Sequence, residues 1–376
     1  MSKIAELNCL KEGIFAKSTL KPINSVFNYE GEKNKIKLLV SVGDWATVSG
    51  LRRTGKTTLV RSTISAMKNT NVLYVDMWGT EERHEFDIFL ERLRIEVKKL
   101  ATRSKLKSVV EKIESISFIG IKIDLRIKGE FMLIDLLERL TKKTKLVLIL
   151  DEAQSALNSR KVTEFLASLH DRLAPNFSVV MVGSVISMKK IISSKKAMPL
   201  YGRISDEIVL QPLSPEKAKK FLVEGFAECN VSVDDLIVDA GVNAFGGFAG
   251  WLNWYGRRVV LEVLSHREID PYRVIKLVEK EAREQIYDEI ARILLNRKNF
   301  RVYLKIIRET ALMDFVTLSD LARATKKNAS TIAFYIKHLK DMGILKKEKN
   351  YYMISDPMIR RLAKEPDFEK EIKIRR

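Results

Sequence analysis

Cysteine is almost missing from this chain. Cys9 and Cys229 are the only two in 376 residues, and they lie too far apart for a paired spacing. Neither a disulfide framework nor a thiolate metal site is expected from them. The four histidines, His84, His170, His266 and His338, are scattered without a ligand-like repeat, so zinc is not expected either. Glutamine is confined to Gln154, Gln211 and Gln285, against heavy use of Lys and Glu. That balance fits a protein from a hot environment, where charged networks are enriched and labile amides depleted. Long apolar runs are absent too: a stretch such as Leu146–Leu150 falls far short of the roughly 20 residues that cross a bilayer. The N-terminus carries no signal-peptide hydrophobic segment. The expectation is a cytoplasmic, multidomain protein with no membrane partner.

Acidic residues are outnumbered, 48 Asp and Glu against 67 Lys and Arg, a net charge of +19. Such an excess makes a polyanion such as nucleic acid a reasonable partner. At 46% hydrophobic residues the chain is long enough for two or three domains, each with its own core.

The pattern along the first part alternates strands and helices. Residues from Asp44 through Val48 form an apolar strand that runs into Ser49-Gly50, and helical periodicity follows from Lys56. Val72–Asp76 reads as a second strand, followed by an amphipathic helix over about Glu85–Leu100. Residues 116–128 alternate around Gly120 and predict an inserted β-hairpin. Leu146–Leu150 and Ser178–Val182 are apolar on both faces, as buried parallel strands require, and Glu207–Leu210 is a further strand. These elements predict a three-layer α/β core with a parallel sheet over residues 1–212, including an N-terminal segment 1–25. Strands stop after Pro212, so residues 213–299 are expected to form an all-α domain and 300–376 a separate C-terminal domain.

Gly50-Leu51-Arg52-Arg53-Thr54-Gly55-Lys56-Thr57 fits G-x-x-x-x-G-K-[ST] without a mismatch. Its glycines let successive backbone N–H groups wrap phosphates, and the helix that follows adds its positive N-terminal end. Gly50 to Thr57, with Thr58 beyond them, are therefore the expected nucleotide contacts. Lys56 would lie against the β- and γ-phosphates and Thr57 would hold Mg²⁺. Leu150-Asp151-Glu152 ends a buried strand, which places two carboxylates where α/β ligands bind. Asp151 is expected to hold magnesium through water and Glu152 to take a proton from the attacking water, the arrangement of additional-strand, catalytic-glutamate P-loop ATPases. Ser184, just past a strand, is placed to orient water or the γ-phosphate. Arg203 is a candidate to neutralise charge on the γ-phosphate, in cis or from a neighbouring subunit, its alternative being a pair with Asp206. No Asn-Lys-x-Asp motif appears, which favours ATP over GTP.

Leu318–Thr325 followed by Ser330–Leu339 reads as a helix-turn-helix, with a β-wing at Ile344–Ile354. Leu321, Ile332, Ile336 and Leu339 would form its core. Lys326, Lys327, Asn328, Ser330, Thr331, Tyr335 and Lys337 would be available to a DNA groove. From Arg297 onward there are 20 Lys and Arg against 10 Asp and Glu, about half the chain's net charge.

With these residues in view the chain resembles the archaeal ATPase family within the signal-transduction NTPase class, which is AAA+-like. The resemblance rests on Phe27–Glu32, Gly50–Thr57 with its paired arginines, Leu150–Gln154, Gly183-Ser184, Gly202-Arg203, and Tyr352–Met358 with Asp356-Pro357. It implies a nucleotide core, a helical lid and a winged helix. Two features depart from the family pattern. The lid motif Gly-Gly-x-Pro appears as Gly246-Gly247-Phe248-Ala249, without its proline, and the opening Phe-x-x-Arg-x-x-Glu box is only approximated at Tyr29–Glu32. The expected function is an ATP-driven switch, with slow hydrolysis, whose winged helix binds double-stranded DNA. An ATP-dependent homo-oligomer is compatible with it. The alternative is an ATP-gated regulator or scaffold that turns over little ATP and docks a protein partner.

Overall fold

The computed structural model describes residues 3–79, 84–103, 123–183, 188, 199–294, 297–313 and 315–375. In chain order the elements begin with α1 (Lys3–Glu12), α2 (Glu30–Val42), β1 (Trp45–Gly50), α3 (Lys56–Ser65), β2 (Thr70–Asp76) and α4 (Glu85–Arg103). Next come α5 (Ile123–Thr141), β3 (Lys145–Asp151), α6 (Ala153–Leu157), α7 (Arg160–Leu173), β4 (Phe177–Gly183) and β5 (Ile204–Leu210). The helices α8 (Pro215–Glu228), α9 (Asp235–Phe245), α10 (Ala249–Leu264), α11 (Pro271–Leu294) and α12 (Phe300–Leu312) follow. The chain closes with α13 (Leu318–Thr325), α14 (Ala329–Asp341), β6 (Leu345–Glu348), β7 (Tyr351–Ile354), α15 (Pro357–Leu362) and α16 (Phe368–Ile374). Two compact units result: Thr19–Gly50 with Lys56–Leu210, and Met1–Ser18 with Leu51–Gly55 and Gln211–Arg376.

The first of these is built on a parallel sheet of order β2-β3-β4-β1-β5. β4 is the added strand between β1 and β3, as the additional-strand architecture requires. β1 and β4 are buried along their whole length, and β3 beyond its first residue, which explains their unbroken apolar runs. Helix α3 buries Leu59, Val60 and Ile64, and full burial of such side chains is worth about 1.5–3 kcal/mol each. This burial anchors the helix that begins at Lys56. Because all five strands run the same way, β1, β2 and β3 present Gly50, Asp76 and Asp151 at one carboxyl edge, with Asp76 opposite Asp151 in register.

One expectation fails in this unit. The hairpin predicted at residues 116–128 is not formed over Ile123–Lys128, which belong to α5; its first part, 116–122, lies outside the described residues. A helix already nucleated by the buried Leu133, Leu136, Leu137 and Leu140 gains one hydrogen bond for each residue added. That gain overrides the two-residue alternation of an isolated pair of strands.

The second unit gathers the helices after Gln211 together with the N-terminal segment. The sequence pattern groups residues 1–18 with the α/β core, but their contacts run to α8 and α10. The Phe15 ring packs against Gly225 and Gly256, where an added Cβ would come within 2.3 Å of it. Glu228 accepts the Ile14 N–H at 2.6 Å, and Asn253 donates to the Ile14 carbonyl at 2.7 Å. Cys9 and Cys229, whose spacing offers no disulfide framework, are bonded with a Cα–Cα separation of 5.3 Å. Spacing carries no signal for a pair 220 residues apart, and the docking of the N-terminal segment brings them together.

Toward the C-terminus α12, α13, α14 and the antiparallel β6–β7 hairpin follow the order expected of a winged helix. Thr317 and Asp320 form a capping box at the start of α13, and Lys326 turns the chain in a left-handed conformation (φ 54°). Asn328 caps α14 through the Thr331 N–H. Leu321, Ile332, Ile336 and Leu339 are buried as expected.

Candidate functional site

The loop after β1 has the geometry its glycines permit. Gly55 adopts φ 93°, which disfavours any side chain, and Arg53 adopts φ 64° although it has one. Thr54 is buried, its hydroxyl donating to the Leu51 carbonyl at 2.8 Å, so it shapes the loop from within. Lys56 opens α3, and its ammonium donates to the Gly50 carbonyl at 2.9 Å. Thr57 and Thr58 follow on the first turn of α3, half-buried.

Thr57 and Asp151, placed together by sequence reasoning, do meet: the Thr57 hydroxyl donates to Asp151 Oδ2 at 2.8 Å. The Tyr74 hydroxyl donates to the same oxygen at 2.8 Å, and the Arg61 guanidinium lies 4.0 Å from the centre of the Tyr74 ring. Burial, and then the adjoining Asp151 charge, push the Tyr74 phenol up from its ordinary value. Burial also raises Asp76, the in-register neighbour, above the usual carboxylate range. Sequence reasoning missed Tyr74 and Arg61. The available signal was alternation on β2, which puts Tyr74 and Asp76 on one face, two residues apart.

Glu152 stands immediately after β3 with φ 47°, capping the short α6. Its backbone N–H donates to Asp151 Oδ1 at 3.0 Å, and its own carboxylate accepts from the Gln154 amide. The strand end therefore presents two acids whose carboxylates have separate partners. One belongs to the Thr57–Tyr74 cluster and the other turns toward Gln154.

The remaining candidates fare differently. Ser184 lies outside the described residues. Arg203 pairs with Asp171 (2.8 and 3.1 Å) and donates to the Pro199 carbonyl, while Asp206, its expected alternative, pairs with Lys35 at 2.7 Å. In the helix-turn-helix, Lys326, Lys327, Asn328, Ser330 and Lys337 are exposed and Thr331 half-exposed. Tyr335, expected at a groove, is instead buried: its ring meets Tyr303 edge-on with centroids 4.8 Å apart, and its hydroxyl accepts from Asn299 at 3.2 Å. It shares the inward face of α14 with Ile332, Ile336 and Leu339. Phe334, 56% exposed, takes the outward place.

Residues 27–247 match the model of a family described as ATPase domains predominantly from Archaea. No curated protein matches the chain by sequence. Among solved structures it is similar to a Walker-type ATPase of Pyrococcus abyssi, 22% identical over 94% of this chain and all of that one, with a TM-score of 0.73. The ORC2 protein of Aeropyrum pernix, solved in ADPNP–ADP complexes, is 15% identical over 96% of this chain and 97% of its own, with a TM-score of 0.64. The ORC1 protein of the same organism, solved with DNA, is 14% identical over 96% and 95%, with a TM-score of 0.50. At such identities these structures share the fold with this chain.

Proposed function

The chain belongs to the family of ATPase domains found predominantly in Archaea, and from that premise we propose an Mg-ATP-driven switch whose C-terminal winged helix engages double-stranded DNA. The observation that carries the ATP part is the 2.8 Å contact of Thr57 with Asp151 at the end of a glycine-bounded loop. Hydroxyl and carboxylate oxygens are the hard donors magnesium prefers, so Thr57 would hold the ion through its hydroxyl and Asp151 through water. When bound, the ion neutralises charge on the β- and γ-phosphates. Lys56 binds the same phosphates, and the loop N–H groups orient them. Glu152 takes the proton of the attacking water. Arg203 would have to leave Asp171 to reach the γ-phosphate, in its own subunit or a neighbour. Ser184 keeps its proposed role of orienting water.

No helix among the described residues is long and apolar enough to cross a membrane, and a cytoplasmic switch is the reading we adopt. Tyr74→Phe is expected to raise the Mg²⁺ concentration for half-maximal ATP binding roughly tenfold, since it removes a hydrogen bond that orients a metal-holding carboxylate. Calorimetric titration of ATP at several Mg²⁺ concentrations reads this, and an unchanged midpoint would detach Tyr74 from the metal.

DNA engagement rests on the exposed Lys326, Lys327 and Lys337 around α14 and on Lys346, Lys347 and Lys349 in the hairpin. That a similar ORC1 chain was solved with DNA supports the choice of partner. Because residues 211–376 form one unit with the N-terminal segment, point substitutions test this better than truncation. Replacing Lys326, Lys327 and Lys337 by Ala should weaken duplex binding. The slope of log affinity against log salt should fall by about 0.9 for each phosphate no longer neutralised. An unchanged slope would move the basic surface elsewhere. The exposed Phe315 and Tyr351, with ring centroids 5.5 Å apart, favour the second reading, a protein-docking regulator. ATP binding without turnover and without DNA affinity would select that reading, whereas DNA-stimulated hydrolysis would reject it.

A further inference from the structure

Two arginines stand in the middle of the phosphate-binding loop, at positions where the motif accepts any residue. Arg53 holds the left-handed backbone that side chains resist, and a close set of contacts keeps it there. Its carbonyl accepts the Gly250 N–H at 2.9 Å. The guanidinium donates to Glu289 Oε2 at 2.7 Å, reaches Asp356 Oδ2 at 3.5 Å and lies 4.2 Å from the centre of the Trp251 ring. Trp251 in turn donates its indole N–H to both Asp356 oxygens, at 2.9 and 3.0 Å. Arg52 adds a contact of 3.2 Å to the other oxygen of Glu289.

Glu289 and Asp356 are each about 5% exposed, so the charges face one another with little water between them. Burial holds the Asp356 carboxyl above its ordinary range, with Arg53 drawing it back. Apolar residues of equal volume often fill such a place without loss of stability, so buried ion pairs are weak evidence of a stabilising role. The three partners come from separate elements: Trp251 from α10, Glu289 from α11 and Asp356 from the N-cap of α15. None lies in the nucleotide motif.

We propose that Trp251, Glu289 and Asp356 are positioning residues for nucleotide binding, acting through Arg53 to hold the loop's backbone N–H groups in phosphate-binding geometry. The proposal rests on reading Gly50–Thr57 as the ATP site. A loop already in its bound shape loses less conformational freedom when phosphate arrives, so the clamp sets affinity without touching the ligand.

The test is calorimetric ATP binding by the full chain with Asp356→Asn, Trp251→Phe, Arg53→Gly and the Arg53→Gly/Asp356→Asn pair. Asparagine can still cap α15, and glycine keeps the left-handed backbone while removing the guanidinium. Each single substitution is expected to weaken ATP about tenfold, and the double no more than the stronger single, because both remove one shared interaction. A residue that merely stabilised the fold would shift the thermal midpoint without this non-additivity. Should Asp356→Asn fail to fold, Trp251→Phe, which keeps the ring stack and deletes one donor, decides the matter by its own affinity. Wild-type affinity in Trp251→Phe and Asp356→Asn, or additive losses in the double, would overturn the clamp. Wild-type protein that binds no nucleotide would overturn the ATP reading itself.

Discussion

Lys56→Ala should lose ATP binding, with affinity falling by at least about a hundredfold, because one full charge against two phosphates is removed from a partly enclosed loop. The ammonium already lies across the loop, bonded to the Gly50 carbonyl at 2.9 Å, so it is held where phosphate oxygens would arrive. The substitution should not unfold the protein. Lys56 is half-exposed, and α3 is anchored by Leu59, Val60 and Ile64 and not by its first residue. Calorimetric ATP titration, checked against an unchanged thermal midpoint, reads the effect. A loss smaller than about threefold would mean that the loop is not the phosphate site.

Glu152→Gln should retain ATP and lose hydrolysis, by roughly 10²- to 10⁴-fold, the usual worth of a positioned general base. Glutamine has the shape of glutamate and can accept from Gln154 through its carbonyl, so the left-handed cap at the start of α6 is preserved. Only the capacity to take a proton disappears. Phosphate release at saturating ATP gives the rate, and titration gives the affinity. Hydrolysis at the wild-type rate would remove Glu152 as the base. Loss of both binding and turnover would instead point to a disturbed strand end, since Glu152 N–H also bonds Asp151 Oδ1 at 3.0 Å.

Much of the candidate site could be read from contiguous residues. Gly50–Thr57 and Leu150–Glu152 are short segments whose chemistry follows from residue type and spacing, and the Thr57–Asp151 contact joins them as their motifs imply. The misreadings have separate origins. Alternation at Ile123, Leu125 and Ile127 suggested a hairpin, but continuity with a buried helix prevailed. Tyr335 looked like a groove residue because it is polar and follows the turn, yet its position on α14 points it into the core. Cys9 and Cys229 carried no usable spacing.

By itself the sequence determined the alternation of strands and helices, the glycine-bounded loop, the acidic strand end and the helix pair α13–α14, because each depends on neighbours whose geometry is covalently linked. Tertiary structure alone decided which distant side chains complete them. Tyr74 reaches Asp151 from 77 residues away, and Arg53 finds Glu289 and Asp356 at 236 and 303. Those partners are selected by packing summed over a whole core and by the cost of leaving buried charge unpaired, and no local pattern encodes either.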